Sequence, residues 1–318
     1  MTTTPTAREL AEFSLRAQHP VTRRWVDDEL RLDLLTKQHE LDIELLTDPE
    51  IARMRIERFA PGRPIELMFN QWVQVAADQH VMLSMRYEGG DQARPFVDAS
   101  ALSRPLQVGD LPPAAEAATK YFGALAPAYL RLWSSEPAGS FPETLPDKRF
   151  LAGPLSVLRR AGEPLPSELT LVRATSLANY ELAQAAYDAV DAAHPNHPEQ
   201  AQLQSRDNLE DAVEDGLLFD VMVDDSWAGY IAAKPDGQDL GLPAYTVQDI
   251  ILAPDYRGRG YGPHLTTLLA RALPDDLPFL VGTIHANNRG ALTAATTATR
   301  TDIGGWIQFP LPTPEPSE

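Results

Sequence analysis

Residues 245–262 read Tyr-Thr-Val-Gln-Asp-Ile-Ile-Leu-Ala-Pro-Asp-Tyr-Arg-Gly-Arg-Gly-Tyr-Gly, and this stretch decides the fold. Tyr245 to Ala253 is an apolar, β-branched run of strand length. Pro254-Asp255 ends it, because proline has no N–H to give a ladder. A glycine-rich turn with two arginines follows, and Pro263 after it suits the first turn of a helix. Leu265, Leu268, Leu269 and Ala272 then recur at the spacing of one helical face. The unit is strand, glycine-rich turn, helix. Such a turn presents bare backbone N–H groups at a helix N-terminus, where the helix dipole favours an anion.

Three kinds of anion site compete for this pattern. A dinucleotide fingerprint takes Gly258 and Gly260 as its first two glycines but meets Pro263 where the third belongs. A P-loop needs a lysine after its last glycine, and none is there. A nucleotide-binding enzyme is therefore the weakest alternative. The third kind is the pyrophosphate loop of acetyl-CoA-dependent acetyltransferases. Arg257, Gly260 and Gly262 stand where Arg/Gln-x-x-Gly-x-Gly/Ala requires them, after an apolar pair and a Pro-x-Tyr. Residues 169–311 also follow the order strand, one or two helices, hairpin, strand, loop, helix, strand, helix, strand. On these residues the segment resembles the GNAT (GCN5-related N-acetyltransferase) superfamily.

The resemblance implies an α/β (α+β) fold, a mixed central sheet flanked by helices of the acyl-CoA N-acyltransferase kind, and acetyl-CoA as cofactor. It implies that Arg257, Gly258, Arg259, Gly260, Tyr261 and Gly262 cradle the pyrophosphate. It further implies that the backbone of Ile250 and Leu252 meets the pantetheine arm and thioester, and that Asn288 belongs to the cofactor site. Glycines suit the cradle because a side chain would hold the phosphates away. The family's usual acid is a tyrosine seven residues after an asparagine, and the chain has Ala295 at that distance from Asn288. No tyrosine follows Tyr261. That departure leaves a second reading, a non-catalytic acyl-CoA-binding or regulatory protein.

Four side chains are candidates for the base that takes the acceptor's proton. Asp249 lies on the strand, facing either the cleft or solvent. His285 ends the next strand and titrates in the right range, although a histidine there often only makes a hydrogen bond. Glu210 and Glu214 stand four apart on a short acidic helix, as on any solvated helix face. His194 and His197 form an His-x-x-His pair in a proline loop with no third ligand in view, so no metal site is assigned.

Composition narrows the partners. The chain has 318 residues, 43% hydrophobic content and no cysteine, which excludes disulfides and thiolate chemistry. Net charge is −18, and residues 167–318 hold 8 of 27 Lys and Arg but 22 of 45 Asp and Glu. An acidic second half argues against a nucleic-acid partner and is compatible with a cationic acceptor, a small-molecule amine or a protein amine. No apolar run is long enough for a membrane span and the N-terminus has no signal core, which fits the cytoplasm. Trp306 reads as core or as an interface anchor, and a homodimer is among the expected partners.

The expected organisation is a first domain over 1–166, the acetyltransferase-like domain over 167–311 and a proline-rich tail over 312–318, with a linker near Gly162–Ser167. Residues 66–134 repeat the order hairpin, strand, helix, strand seen in 217–285. The first half therefore reads as a divergent copy in tandem, or as an unrelated α+β domain. Its Ser103–Asp110 stretch has no Arg-x-x-Gly-x-Gly and hence no cradle.

Overall fold

The computed structural model describes residues 4–193, 202–237 and 239–312. The chain divides into two units, residues 1–147 with 304–318, and residues 148–303. The sequence places one boundary near 162–167; the structure cuts at 147/148 and again at 303/304. The reason lies in strand pairing, which periodicity does not report. Each unit's sheet closes on a strand from the other half of the sequence.

In the first unit, helices α1 (Ala7–Arg16), α2 (Asp28–Thr47) and α3 (Pro49–Phe59) precede the sheet. Thr6 caps α1 with a capping box to Glu9, and Asp48 caps α3 ahead of Pro49. The sheet holds β1 (Gln71–Ala76), β2 (Gln79–Tyr87), β3 (Pro95–Leu102) and β4 (Tyr129–Ser134), with α4 (Leu111–Phe122) between the last two. β1, β2 and β3 run antiparallel, and β3 meets β4 in parallel over only three residue pairs, Val97 to Ala99 against Leu130 to Leu132. Alternate residues of β2, among them Val81, Leu83 and Met85, pack with Ala114, Ala118 and Phe122 of α4.

The strand β5 (Leu145–Pro154) and the short α5 (Leu155–Leu158) lead into the second unit. There follow β6 (Leu169–Arg173), α6 (Tyr180–Ala193), α7 (Arg206–Glu214), β7 (Leu218–Val223), β8 (Ser226–Gly237) and β9 (Ala244–Leu252). The unit ends with α8 (Gly262–Ala272), β10 (Phe279–His285), α9 (Arg289–Thr297) and the start of β11 (Thr301–Pro310). Strands β6 to β9 are antiparallel neighbours. β9 and β10 run parallel, paired only from Ala244 to Thr246 against Phe279 to Val281. β10 then pairs antiparallel with β5, Gly282 facing Leu151. In the first unit β11 takes the corresponding place, pairing antiparallel with β4 from Gly305 to Pro310.

α8 packs one face of the second sheet, with Leu265 and Leu269 against Tyr245, Ile231 and Leu280. α6 and α7 cover the other face, with Ala183, Tyr187, Leu209 and Ala212 against Tyr230, Ala232 and Ile251. Each fully buried leucine of these faces contributes about 1.5–3 kcal/mol. Lys234–Gly237 forms the last part of β8. Ser205 caps α7 by accepting the Asn208 N–H. No helix among the described residues is long and apolar enough to cross a membrane.

Candidate active site

Nine residues separate the end of β9 from the start of α8, and the turn they form has the shape an anion requires. φ is +72° at Gly258 and +87° at Gly260 and is not positive at Arg259 or Tyr261. This alternation of hand bends successive N–H groups into one concavity. The N–H groups of Gly258, Arg259 and Gly260 have no partner among the described residues. A Cβ at Gly258 or Gly260 would meet nothing within 4 Å. The glycines are thus required by the backbone hand, and the space above them is open.

The two arginines of the turn do different things. Arg257 points inward. Its Nε donates to the Leu252 carbonyl at 2.8 Å and its Nη2 to the Ala186 carbonyl of α6 at 2.6 Å. Burial pushes its pKa down. It locks the turn to the end of β9 and to α6, and it occupies the Leu252 carbonyl expected to meet the pantetheine arm. Arg259 is exposed, its guanidinium 5.5 Å from the Tyr256 ring centroid, and stays available at the rim. Tyr261 donates its hydroxyl to Glu168 at 3.2 Å. Gly262, the first residue of α8, lies close to α9, where an added Cβ would sit 3.2 Å from Ala294 Cβ.

β9 carries a bulge at the place where it leaves β10. Ala232 faces Asp249 and Ala233 faces Val247, so Gln248 is an extra residue on β9. The bulge switches the alternation of faces. Tyr245 and Val247 before it, and Ile250 and Leu252 after it, all pack on the α8 side. Asp249 and Ile251 turn to the α6 side. Close approach is also built in here: a Cβ on Gly229 of β8 would lie 2.1 Å from the Ile251 carbonyl oxygen, and one on Gly282 of β10 would lie 2.9 Å from Val247 Cβ.

Asp249 is 2% exposed. Tyr187 donates its hydroxyl to Oδ1 at 2.8 Å and the Gln204 N–H donates to Oδ2 at 3.4 Å. Burial pushes the carboxyl up to about 6, against the opposing pull of the two hydrogen bonds. Burial beside this carboxylate also raises Tyr187 well above the ordinary tyrosine value, while the Ile250 N–H directed at its oxygen acts the other way. Tyr187 reads from sequence as one member of an apolar helix face; its partnership with Asp249 becomes visible only when α6 is laid on β9.

A polar cavity of about 480 Å³ opens where β9 and β10 part. β9 contributes Thr246 and Gln248, β10 contributes Thr283, α7 contributes Asn208 and Asp211, and its C-cap contributes Asp215. Gln204 lines it too, the same residue whose N–H holds Asp249. Thr246 Oγ1 and Gln248 Oε1 are buried without a hydrogen-bond partner. Lys234 is also in the lining and is already engaged within the protein.

The remaining sequence candidates lie elsewhere. Glu210 and Glu214 are on the exposed flank of α7 and do not line the cavity. His285 Nδ1 accepts the Asn287 N–H at 3.2 Å and its carbonyl accepts the Asn288 N–H at 2.8 Å, so it shapes the entry to α9. Asn288 caps that helix by accepting the Ala291 N–H at 3.1 Å. Ala295 is buried on α9. His194 and His197 lie outside the described residues. Trp306, in the first unit, lies under the Arg131 guanidinium at 4.0 Å. At the start of α4 the backbone is closed from within: Asp110 accepts from Gln107 N at 2.8 Å and from both terminal nitrogens of Arg104.

Residues 179–294 match the family model of the acetyltransferase (GNAT) family, so this part of the chain is a GNAT domain. No curated protein matches the chain. Among solved structures, a GCN5-related N-acetyltransferase from Sphaerobacter thermophilus aligns at 14% identity and TM-score 0.45, over 73% of this chain and 76% of that one. A GNAT-family acetyltransferase from Colwellia psychrerythraea aligns at 12% identity and TM-score 0.44, over 85% and 97%. A tandem GNAT protein from the clavulanic acid biosynthesis pathway aligns at 12% identity and TM-score 0.42, over 86% and 98%.

Proposed function

We propose that residues 148–303 form an acetyl-CoA-dependent N-acetyltransferase that passes the acetyl group directly to a primary amine. The observation that carries this reading is the turn 257–262, a concavity of unpartnered N–H groups at the start of α8, opening beside two strands that part after three residue pairs. The turn fits a pyrophosphate: it supplies donors, open space over two glycines and one exposed arginine. Bound acetyl-CoA would supply an activated acetyl thioester.

The chain's own residues supply the rest. Gly258, Arg259 and Gly260 hold the anionic end through their N–H groups. The gap between β9 and β10 takes the extended arm. Asp249 is the base this site offers, because a carboxyl with a pKa of about 6 is ionised at neutral pH and still basic enough to accept a proton. Tyr187 fixes its orientation, and Gln204 links it to the cavity where the amine would stand.

A second reading, a GNAT domain that binds acyl-CoA without turnover, is favoured by Ala295. That buried methyl stands where the resemblance calls for an acid. Calorimetry with coenzyme A and a thiol-release assay over a panel of amines separate the two. Binding with turnover supports the enzyme, binding without turnover the regulatory protein. If Gly260→Glu leaves coenzyme A affinity unchanged, the cradle is elsewhere.

The first unit fits a degenerate copy of the second. It has the same order of three antiparallel strands, a helix, a short parallel pairing and a closing antiparallel strand. Its helix start carries the Asp110 carboxylate where an anion would have to bind, so it offers no cofactor site. Coenzyme A titration is expected to give one site per chain.

A further inference from the structure

Arg300 holds a buried positive charge that no carboxylate among the described residues answers. It is 4% exposed and follows α9, its N–H donating to the Ala295 carbonyl at 3.0 Å. Its Nε and Nη2 donate to the Leu151 carbonyl at 3.2 and 2.7 Å, and Nη2 also reaches the Gly282 carbonyl at 3.3 Å. Nη1 makes no hydrogen bond among the described residues. Asp302, the acid nearest in sequence, is held by Arg149 at 2.9 and 3.0 Å. Burial alone pushes the Arg300 guanidinium down to about 10. A buried cation without a counter-ion is costly to keep, and it calls for an anion from outside the chain. The guanidinium also lies where the strands part. β9 and β10 pair only as far as Thr246 and Val281, so Val247 and Gly282 are the first residues past the parting. A Cβ on Gly282 would stand 2.6 Å from Arg300 Nη2 and 2.9 Å from Val247 Cβ. The missing side chain of Gly282 is what lets the guanidinium approach the gap.

Aminolysis of a thioester develops negative charge on sulfur. The amine nitrogen bonds to the acetyl carbon, the C–S bond breaks with its electron pair going to sulfur, and the amine's proton passes to Asp249. We infer that Arg300 stabilises the coenzyme A thiolate as it leaves, as a fixed charge already in place at the strand gap. The free donors decide in favour of a single-atom anion. A carboxylate takes two parallel N–H bonds from one edge of a guanidinium. The edge formed by Nε and Nη2 is spent on Leu151, and Nη2 is shared with Gly282, which leaves Nη1. One sulfur suits Nη1 better than a carboxylate carried on the acyl chain. An arginine keeps its proton at neutral pH, so it stabilises the thiolate without neutralising it. This inference rests on the acetyltransferase reading for its chemistry, but its main readout is the bound thiol and needs no turnover.

The test binds coenzyme A to the native protein and follows the ultraviolet absorbance of the thiolate as pH is raised. The difference from the complex with desulfo-coenzyme A isolates the sulfur. The bound thiol should titrate about one to three pH units below that of free coenzyme A, as beside any close opposite charge. Arg300→Gln should return it to the free value and leave desulfo-coenzyme A affinity unchanged. The variant's kcat should fall roughly a hundred- to a thousandfold, the scale of losing one preorganised donor at a developing anion. The KM for the amine should not move. An arginine that only braces Leu151 and Gly282 would leave the bound thiol at its free value in the native protein, so the native titration decides even if the variant does not fold. A thiol that titrates as in free coenzyme A overturns the inference and leaves the acetyltransferase reading standing. No binding of coenzyme A overturns both. A preference of roughly tenfold or more for succinyl- over acetyl-coenzyme A, lost in Arg300→Gln, assigns the cation to an acyl carboxylate and overturns the thiolate role.

Discussion

Replacing Asp249 by Asn should change how the protein's stability depends on pH, and the size of the change follows from the site. Asp249 is 2% exposed and its carboxyl is pushed up to about 6. In the unfolded chain an aspartate titrates near the ordinary 3.8. Between those two values the folded protein binds the proton that the unfolded chain has released. Stability from this group is therefore complete below about 3.8 and is lost as pH rises through about 6. Two pH units at 1.36 kcal/mol each make the loss about 3 kcal/mol. Asn cannot ionise, so the variant escapes it. Urea unfolding of both proteins from pH 4 to 8 is the assay. Relative to the native protein, the variant should gain about 3 kcal/mol of stability across that range, most of it before pH 6.5. At the acid end the variant should be the weaker, because Asn cannot accept from Tyr187 and Gln204 as a carboxyl does. Parallel stability curves would refute the assignment of a buried, raised carboxyl. The same substitution should also remove the rise of kcat/KM near pH 6 if Asp249 takes the acceptor's proton.

Other substitutions test the cradle and its supports. Gly260→Ala forces an L residue to φ +87° and should cost about 1–2 kcal/mol of stability and at least tenfold in coenzyme A affinity by calorimetry. Arg257→Lys keeps the charge but cannot reach both the Leu252 and Ala186 carbonyls, so a loss of about 1–3 kcal/mol in thermal unfolding is expected. Gly282→Val places carbon against Arg300 and Val247 and should destabilise by about 1–3 kcal/mol or more, read from urea midpoints. Asp110→Asn should weaken the first unit through its bonds to Arg104 while leaving coenzyme A binding untouched.

Much of the site's frame is local and was therefore legible. A strand that stops at proline, glycines where φ must be positive, and a helix that starts after them are properties of neighbours in the chain, so residues 245–272 announce their own shape. The GNAT resemblance follows from the same stretch. What the residues could not announce are the partners that arrive from far along the chain. Arg257 looks like a phosphate ligand and is instead a clamp on Leu252 and Ala186, because α6 lies behind the turn. Asn288 and His285 look like site residues and are spent on the entry to α9.

The acidic helix shows the limit most plainly. Glu210 with Glu214 and Asp211 with Asp215 are both i, i+4 pairs, and they lie on opposite flanks of the apolar stripe formed by Leu209, Ala212 and Val213. Periodicity settles which face of α7 is buried and is silent about which flank meets the strand gap. That choice belongs to the packing of α7 on β7 and β8, and it puts the aspartates at the cavity. Domain limits divide in the same way. Sequence orders the strands, but hydrogen bonds between β5 and β10, and between β11 and β4, decide which sheet each strand completes. Residue order alone determined the cradle, its glycines and its family. Tertiary structure decided which carboxylates line the cavity and that Tyr187 holds Asp249, because burial and pairing across the sheet depend on residues brought together only by folding.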